Sequence, residues 1–265
     1  MILSKTIMNN HSDKIPAKDS SKLPADVPYA KTQTLYLRNI LLVALASMSE
    51  FMDATSFIEL NVFASVLTGN TVLLGLAIST GNLLNVIVPL VAIMGFISGV
   101  VLGNRLAEPN LEFQKKIWST TVTKALMVEV IFLAIFTACG FIVGKSINGF
   151  PLYIFIMLAT IAMGIQSSAV RALGVPHIST TYITGTWTNL IIGLTRQQAS
   201  STRPENDERK SGHLLSIGVV IIYILSAIAG GLTVSNLSLV AAIIPVIGIS
   251  IVVVVAKARM EAFFW

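Results

Sequence analysis

The sequence predicts an all-α integral membrane protein with six full transmembrane helices and two short half-helices or re-entrant segments, arranged as an inverted 3+3 repeat. Of its 265 residues, 54% are hydrophobic and only 12% are charged, whereas a soluble domain carries roughly twice that charged fraction. A long apolar segment followed by a short one also occurs twice, with polar residues at matching places. Internal repeats of this kind are typical of membrane transporters.

The two ends of the chain lack long apolar runs. Residues 1–35 mix Pro, Ser, Lys and Asp, which predicts a disordered cytoplasmic tail rather than a signal peptide. The membrane domain is expected over residues 36–257, with repeat one at about 39–145 and repeat two at about 150–257. Residues 258–265 are expected to form a short C-terminal tail.

Six apolar runs are long enough to cross a bilayer. If only these six cross and the N-terminus is cytoplasmic, 17 of the 18 Lys and Arg residues lie on the cytoplasmic side. If two shorter apolar segments also cross, the division falls to 13 against 5. Basic residues favour the cytoplasmic side, so six crossings with both termini cytoplasmic are expected. The six runs lie at about 39–57, 86–106, 122–144, 152–170, 214–234 and 237–257.

The two shorter segments, 67–79 and 182–195, each begin at a Thr-Gly-(Asn/Thr) triplet. Three crossings per repeat is an odd number, so the second copy is inverted and the two short segments enter from opposite faces. The glycine suits a tight bend and the threonine suits a cap for the half-helix that follows. The alternative is that both segments are tilted spans and each Thr-Gly is a kink.

Polar residues occupy corresponding positions in the two copies. Asp53 precedes its counterpart Gln166 by 113 residues, and Thr68 precedes Thr184 by 116. Half-helix N-termini carry partial positive charge and suit anionic or carbonyl-bearing ligands. The same groups could instead only cap their own helices and bond across the bundle. The resulting substrate- or ion-binding candidates are Asp53, Glu50, Thr68, Gly69, Asn70, Gln166, Thr184, Gly185, Thr186 and Asn189.

Three carboxylates fall within the apolar runs. Glu50 and Asp53 are three residues apart and share a helix face. A charged side chain at the bilayer centre costs roughly 2.5–3.5 kcal/mol on insertion scales, so such groups usually face the bundle interior. Asp53 is the first candidate for proton exchange, and Glu129 is a second coupling candidate. The alternative for Glu50 and Asp53 is a solvated position at the outer interface.

A glycine stripe marks the 86–106 run. Gly95, Gly99 and Gly103 follow one another at four-residue spacing, which allows a second helix to approach closely. The stripe predicts helix packing, either between the repeats of one monomer or across a homo-oligomer.

Two motifs follow one another along the chain. The first runs from Glu50 through Asp53-Ala54 to Thr68-Gly69-Asn70, and the second is Gly164-Ile165-Gln166 followed by Thr181-Tyr182-Ile183-Thr184-Gly185-Thr186. Together they resemble the YoaK family of bacterial membrane proteins. The resemblance covers residues 35–257 and implies a multi-spanning inner-membrane protein of a domain of unknown function, described as a permease. Many members have Gly where this chain has Glu50 or Phe51, so no role for Glu50 carries over.

The expected function is a permease or secondary transporter of a small solute, with proton coupling through Asp53. A passive channel built from two opposed half-helices and a non-transporting scaffold or assembly protein are the alternatives. The lipid bilayer and an unknown solute are the expected partners, and no nucleic acid is expected because a basic, aromatic-interleaved surface is absent. No nucleophile, metal-ligand spacing or cofactor motif is found, so neither an enzyme, a metal site nor a cofactor is expected.

Overall fold

A computed structural model describes residues 26–81, 83–107, 117–144, 147, 149–174 and 207–261, and between 175 and 206 only residues 184, 185, 187, 188, 191, 192 and 195. These residues form helices and connecting turns without a strand. The helices are α1 (Asp26–Leu60), α2 (Leu67–Ser79), α3 (Leu83–Ala107), α4 (Thr120–Val143), α5 (Phe150–Ala172), α6 (Asp207–Leu237) and α7 (Ile243–Val255). A 3-10 turn, Ser238–Ala242, joins α6 to α7, and a π-helical turn, Ala256–Glu261, follows α7.

Five continuous helical stretches are long and apolar enough to cross a membrane, and the last of them, Ile217–Met260, is 44 residues long. A helix of that length would measure about 66 Å, roughly twice the hydrocarbon thickness of a bilayer. This stretch is interrupted at Ser238, whose φ of 52° is left-handed. The described residues therefore hold five to six apolar candidate spans, and the expectation of an all-α membrane protein is confirmed.

Helical structure extends into both predicted tails. The described part of α1 starts at Asp26, so residues 26–35, which were expected to belong to a disordered tail, are helical. At the other end, the π-helical turn extends to Glu261, four residues into the predicted C-terminal tail.

Helix α6 runs parallel to α1. The Ser226 hydroxyl lies 2.8 Å from that of Ser47, and a Cβ on Gly230 would lie 2.9 Å from the Phe51 carbonyl. Residue numbers thus rise together along the two helices. The small residues of α6 allow this approach, as small residues do in membrane helix pairs.

Helix α7 runs antiparallel to α1. Ala241, just before α7, packs with Phe51, and Gly248 lies against Met48. Val255, at the end of α7, shares a cavity with Leu37. Because α6 and α7 run in opposite directions along the same helix, the chain reverses at Ser238.

The glycine stripe of α3 packs against α5 within the monomer. A Cβ on Gly95 would collide with Thr160, one on Gly99 with the Ile161 carbonyl, and one on Gly103 with Ser168. Helices α3 and α5 therefore run parallel, and side chains larger than hydrogen at these glycines would force them apart.

Four helices form a closed central ring in which each packs on its two neighbours: α1 on α5, α5 on α4, α4 on α7, and α7 on α1. Helix α3 covers the outside of α5, and α6 covers the outside of α1. The ring interior is the middle of the hydrophobic core, which is where a buried polar group finds the least water.

Candidate functional site

Helix α1 ends at Leu60, and residues 61–66, called here the break segment, connect it to α2. Asn61 has a φ of 56°, which is a conformation that often terminates helices and that Asn tolerates better than other residues except Gly. Its backbone N–H still donates to the Phe57 carbonyl at 3.1 Å. The chain then turns back along α1 instead of leaving the bundle.

The break segment is held at the level of Asp53, about 10 Å before the end of α1. Asp53 Oδ1 accepts a hydrogen bond from the Ser65 backbone N–H at 2.6 Å, and its Oδ2 accepts one from the Ser65 hydroxyl. Asp53 is only 3% exposed. Its carboxylate therefore lies at the N-terminal end of α2, where the helix dipole and the unpaired N–H groups favour an anion.

Two further hydrogen bonds, both made by Asn70, hold the other side of the break segment. Asn70 Oδ1 accepts from the Phe63 backbone N–H at 2.9 Å, and Asn70 Nδ2 donates to the Phe63 carbonyl at 2.7 Å. The Phe63 ring stacks on Phe57, with 4.6 Å between ring centroids. The buried side-chain amide of Asn70 thus satisfies both backbone groups of Phe63, which lies outside the helices and has no helical backbone partner.

Two details of the first Thr-Gly triplet differ from the sequence expectation. The N-cap of α2 is Val66, without a side-chain cap bond, so Thr68 is not the cap; it is exposed in the first turn. Gly69 is helical rather than at a bend. A Cβ there would lie 2.7 Å from the Phe63 ring, so the glycine is needed because that ring packs on it.

Glu50 is partly buried on the same face of α1. The carboxylates of Glu50 and Asp53 interact electrostatically with each other and with the buried hydroxyl of Tyr223 on α6. Sequence reasoning missed Ser65, Tyr223 and the Asn70–Phe63 pair. The only signal for Ser65 was a hydroxyl in the linker after an intramembrane carboxylate.

In the second copy, Gln166 is fully buried on α5. Its Nε2 donates to the Leu45 carbonyl of α1 at 3.0 Å, and its Oε1 has no hydrogen-bond partner among the described residues. Gln166 and Asp53 thus differ in their contacts: one bonds to a neighbouring helix, the other to the break segment.

The second Thr-Gly triplet is described only in part. Thr184 and Gly185 are helical and exposed, and the Thr188 hydroxyl donates to the Thr184 carbonyl at 2.9 Å. Thr186 and Asn189 lie outside the described residues. The structure therefore brings no residue of the second triplet into contact with Gln166 in the part of the chain that it describes.

Glu129 is fully buried in the middle of α4. Neither of its carboxylate oxygens has a hydrogen-bond partner within the described ranges. Burial of an unpaired charge in the hydrocarbon region is very costly. Hydrophobic packing alone therefore does not explain why a glutamate occupies this position.

A cavity of 580 Å³ lies beside α2. It is bordered by the end of α1, the second half of α2, the first turns of α3 and the start of α5. Its lining residues are Leu60, Asn61, Leu73, Leu76, Ala77, Thr80, Asn85, Val88, Pro89 and Leu152. Most are apolar, with two amides and a hydroxyl at the rim.

Comparison with known proteins agrees with the resemblance found in the sequence. The family model described as "Protein of unknown function (DUF1275)" matches residues 41–256. The chain is also 36% identical, over 155 residues, to the "UPF0700 transmembrane protein YoaK" of Bacillus subtilis (strain 168). That match covers 58% of this chain and 66% of the relative, just under two thirds of its length. No solved structure matches the chain significantly. The chain therefore belongs to the DUF1275 family of transmembrane proteins, which includes YoaK-like proteins.

Proposed function

We propose that this protein is a permease or secondary transporter that moves a small solute across the bacterial inner membrane. The observation that carries the proposal is the contact of Asp53 with Ser65. Non-helical backbone at membrane depth occurs only where protein or a water-filled cavity surrounds it. A carboxylate held at the start of a discontinuous helix is typical of transporter binding sites and uncommon in purely structural membrane helices.

Six full crossings are part of the proposal, and one cavity supports them. Leu60 at the end of α1 and Asn85 near the start of α3 border the same 580 Å³ cavity, together with Thr80 just after α2. A span through the hydrocarbon would separate such residues by about 30 Å. A re-entrant α2, which enters and leaves on one face, accounts for their proximity.

An inverted repeat is supported by two helix pairs, each of which joins a helix of one half to a helix of the other half. In one pair, Ser47 of α1 contacts Ser226 of α6. In the other, Thr160 of α5 contacts Gly95 of α3. Thr160 is 113 residues after Ser47, the same separation as Asp53 and Gln166. The first crossing of each half therefore packs on the second crossing of the other, as a pseudo-two-fold axis predicts.

The proposal assigns solute binding to the neighbourhood of Asp53, Glu50 and the start of α2, with Asp53 exchanging a proton during the transport cycle. The excess of basic residues at cytoplasmic positions supports cytoplasmic termini. No catalytic role is proposed for any residue.

Solid-supported membrane electrophysiology on proteoliposomes tests this proposal. A panel of amino acids, sugars, carboxylates, nucleobases and inorganic ions is applied with and without a pH gradient. We expect at least one solute to evoke a current in the wild type that Asp53→Asn abolishes. Asparagine keeps the geometry, because Oδ1 still accepts from the Ser65 N–H and Nδ2 can donate to the Ser65 hydroxyl.

Glu59→Gln, on the same helix beyond Asp53, is the matched control and should retain the current. A current that survives Asp53→Asn and ignores the pH gradient favours the passive channel. Absence of current with every solute overturns the transport proposal and favours a non-transporting scaffold.

A further inference from the structure

A cavity of 660 Å³ lies between the start of α1 and the end of α7. Gln33, Thr34 and Tyr36 of α1 line one side of it, and Arg259 of the π-helical turn lines the other. The remaining lining residues are apolar, among them Leu37. The volume falls within the range of about 300–1,000 Å³ that is usual for small-molecule sites. This cavity is separate from the 580 Å³ cavity, which lies at the other end of α1.

The polar and apolar lining residues are separated along the helix axes. On α1, the three polar residues come before Leu37, and the apolar run begins at about residue 39. On the other side, Val255 ends α7, and Arg259 follows it in the π-helical turn. Because α1 and α7 are antiparallel, the polar residues of both lie at the outer end of the cavity, and Leu37 and Val255 lie at the inner end. The cavity is therefore amphipathic along the direction in which the helices run.

The outer end of the cavity lies at the depth of lipid headgroups. Gln33 precedes the start of the apolar run at residue 39 by a distance of about 9 Å along a helix. The headgroup layer on each side of the hydrocarbon is about 5–8 Å thick. Tyr36 lies between these two levels and is 69% exposed, which is typical of tyrosine at a membrane interface. A molecule that fills the cavity therefore contacts the headgroup layer and the edge of the hydrocarbon together.

The charge around this cavity is positive. Among residues 32–40 and 252–260, whose side chains the structure describes, the charged ones are Arg38, Lys257 and Arg259. Arg259 lines the cavity itself, and its guanidinium offers paired N–H donors that match two oxygens of a phosphate. The lining contains no carboxylate for the ammonium group of a zwitterionic headgroup. Residues 1–25 of the chain carry four Lys and two Asp, so their charge does not complement the cavity.

We infer that this cavity binds an anionic phospholipid of the surrounding bilayer, with Arg259 as the ligand of its phosphate group. Gln33 and Tyr36 supply neutral polar groups for the glycerol and ester oxygens, and Leu37 and Val255 contact the first methylene groups of an acyl chain. Basic pockets between membrane helices recognise anionic headgroups through this combination of charge and apolar surface. The lipid connects the start of α1 to the end of α7 and so stabilises the central ring. The inference goes beyond the proposed function and does not depend on it.

Thermal unfolding of the purified full chain in a neutral detergent tests the site without requiring transport. Phosphatidylglycerol or phosphatidylcholine with the same acyl chains is titrated in, and Tm is followed by circular dichroism. Because a ligand that binds only the folded state stabilises it, phosphatidylglycerol should raise Tm by a few degrees more than phosphatidylcholine, and the rise should saturate. Arg259→Gln should lose most of this difference. Lys257→Gln is the matched control, because it removes one basic charge from the same turn but Lys257 does not line the cavity.

Ala258→Trp tests the cavity without changing its charge. Ala258 lines the cavity and is exposed, so an indole there should occupy the space of the lipid and also remove the difference in Tm. Equal stabilisation by the two lipids, or an effect of phosphatidylglycerol that survives Arg259→Gln, overturns the site. An equal loss in Lys257→Gln would show attraction to the charged surface in general and also overturns it.

Inorganic phosphate separates a lipid from a free anion. At the same concentration as the lipid it should leave Tm unchanged, and a full rise in Tm with inorganic phosphate overturns the lipid as the occupant. A solute current without selective stabilisation by phosphatidylglycerol would overturn this site and leave the proposed function standing.

Discussion

The side chain of Asn70 forms hydrogen bonds with both the backbone N–H and the backbone carbonyl of Phe63, at 2.9 and 2.7 Å. Phe63 lies in the break segment, where no helix supplies backbone partners. An unpaired backbone group in the hydrocarbon region costs several kcal/mol. This single amide therefore makes it possible for the chain to turn inside the membrane domain.

Replacement of Asn70 should loosen the break segment. Asn70→Ala leaves two buried backbone groups unpaired, and we expect a loss of roughly 2–4 kcal/mol in the free energy of unfolding. Asn70→Asp can still accept from the Phe63 N–H but cannot donate to its carbonyl, so it should also destabilise. Unfolding by a denaturing detergent measures both variants. Asn236→Ala is the control, because Asn236 is exposed and bonds only within α6; an equal effect there would contradict the role of Asn70.

The hydroxyl of Ser65 should contribute to the position of α2. Ser65→Ala removes the hydrogen bond to Asp53 Oδ2 but keeps the backbone bond to Oδ1, so a loss of about 1.5–3 kcal/mol is expected for a bond to a charged group. Limited proteolysis near residues 61–66 should become faster. Ser79→Ala is the control, because the exposed Ser79 hydroxyl bonds only to the Leu76 carbonyl. Unchanged proteolysis of Ser65→Ala would show that the backbone bond is sufficient.

The contact of α3 with α5 leaves no room for a methyl group at Gly99. Its Cβ would collide with the Ile161 carbonyl, which belongs to a helix backbone and cannot move aside. Overpacking of this kind costs about 1–3 kcal/mol, so Gly99→Ala should lower Tm. Gly75→Ala is the control, because nothing lies within 4 Å of a Cβ at that position. Equal Tm values for the two variants would contradict close packing of α3 on α5.

The re-entrant path that we propose for α2 predicts a specific labelling pattern. Single cysteines at Asn61, Thr80 and Ala258 are introduced in a Cys139→Ser background, and all three positions are exposed. With six crossings, a membrane-impermeant thiol reagent labels positions 61 and 80 from the same side and position 258 from the opposite side. With eight crossings, position 80 changes sides and reacts together with position 258. Asn61 and Thr80 line the same cavity, so we expect the first pattern.

Much of the architecture was predictable from the sequence because hydropathy and charge act locally. The apolar runs gave the helices α3, α4 and α5 to within a few residues. The short run 67–79 coincides with α2. The helical residues of α1 before residue 39 were missed because they are largely polar, and polar residues with good helix propensity can extend a helix beyond an apolar run. Burial of Asp53 and Glu129 followed from the cost of charge in a membrane.

The roles of these buried groups were decided only by the tertiary structure. Sequence alone determined that Asp53, Gln166 and Glu129 lie within membrane segments. It did not determine that Ser65, 12 residues away, binds Asp53, or that Gln166 reaches a carbonyl 121 residues away. Insertion of a segment into a membrane depends on the summed hydropathy of consecutive residues, which can be read directly from the sequence. Hydrogen-bond partners depend on which distant helices pack together, and that is fixed only when the whole bundle assembles.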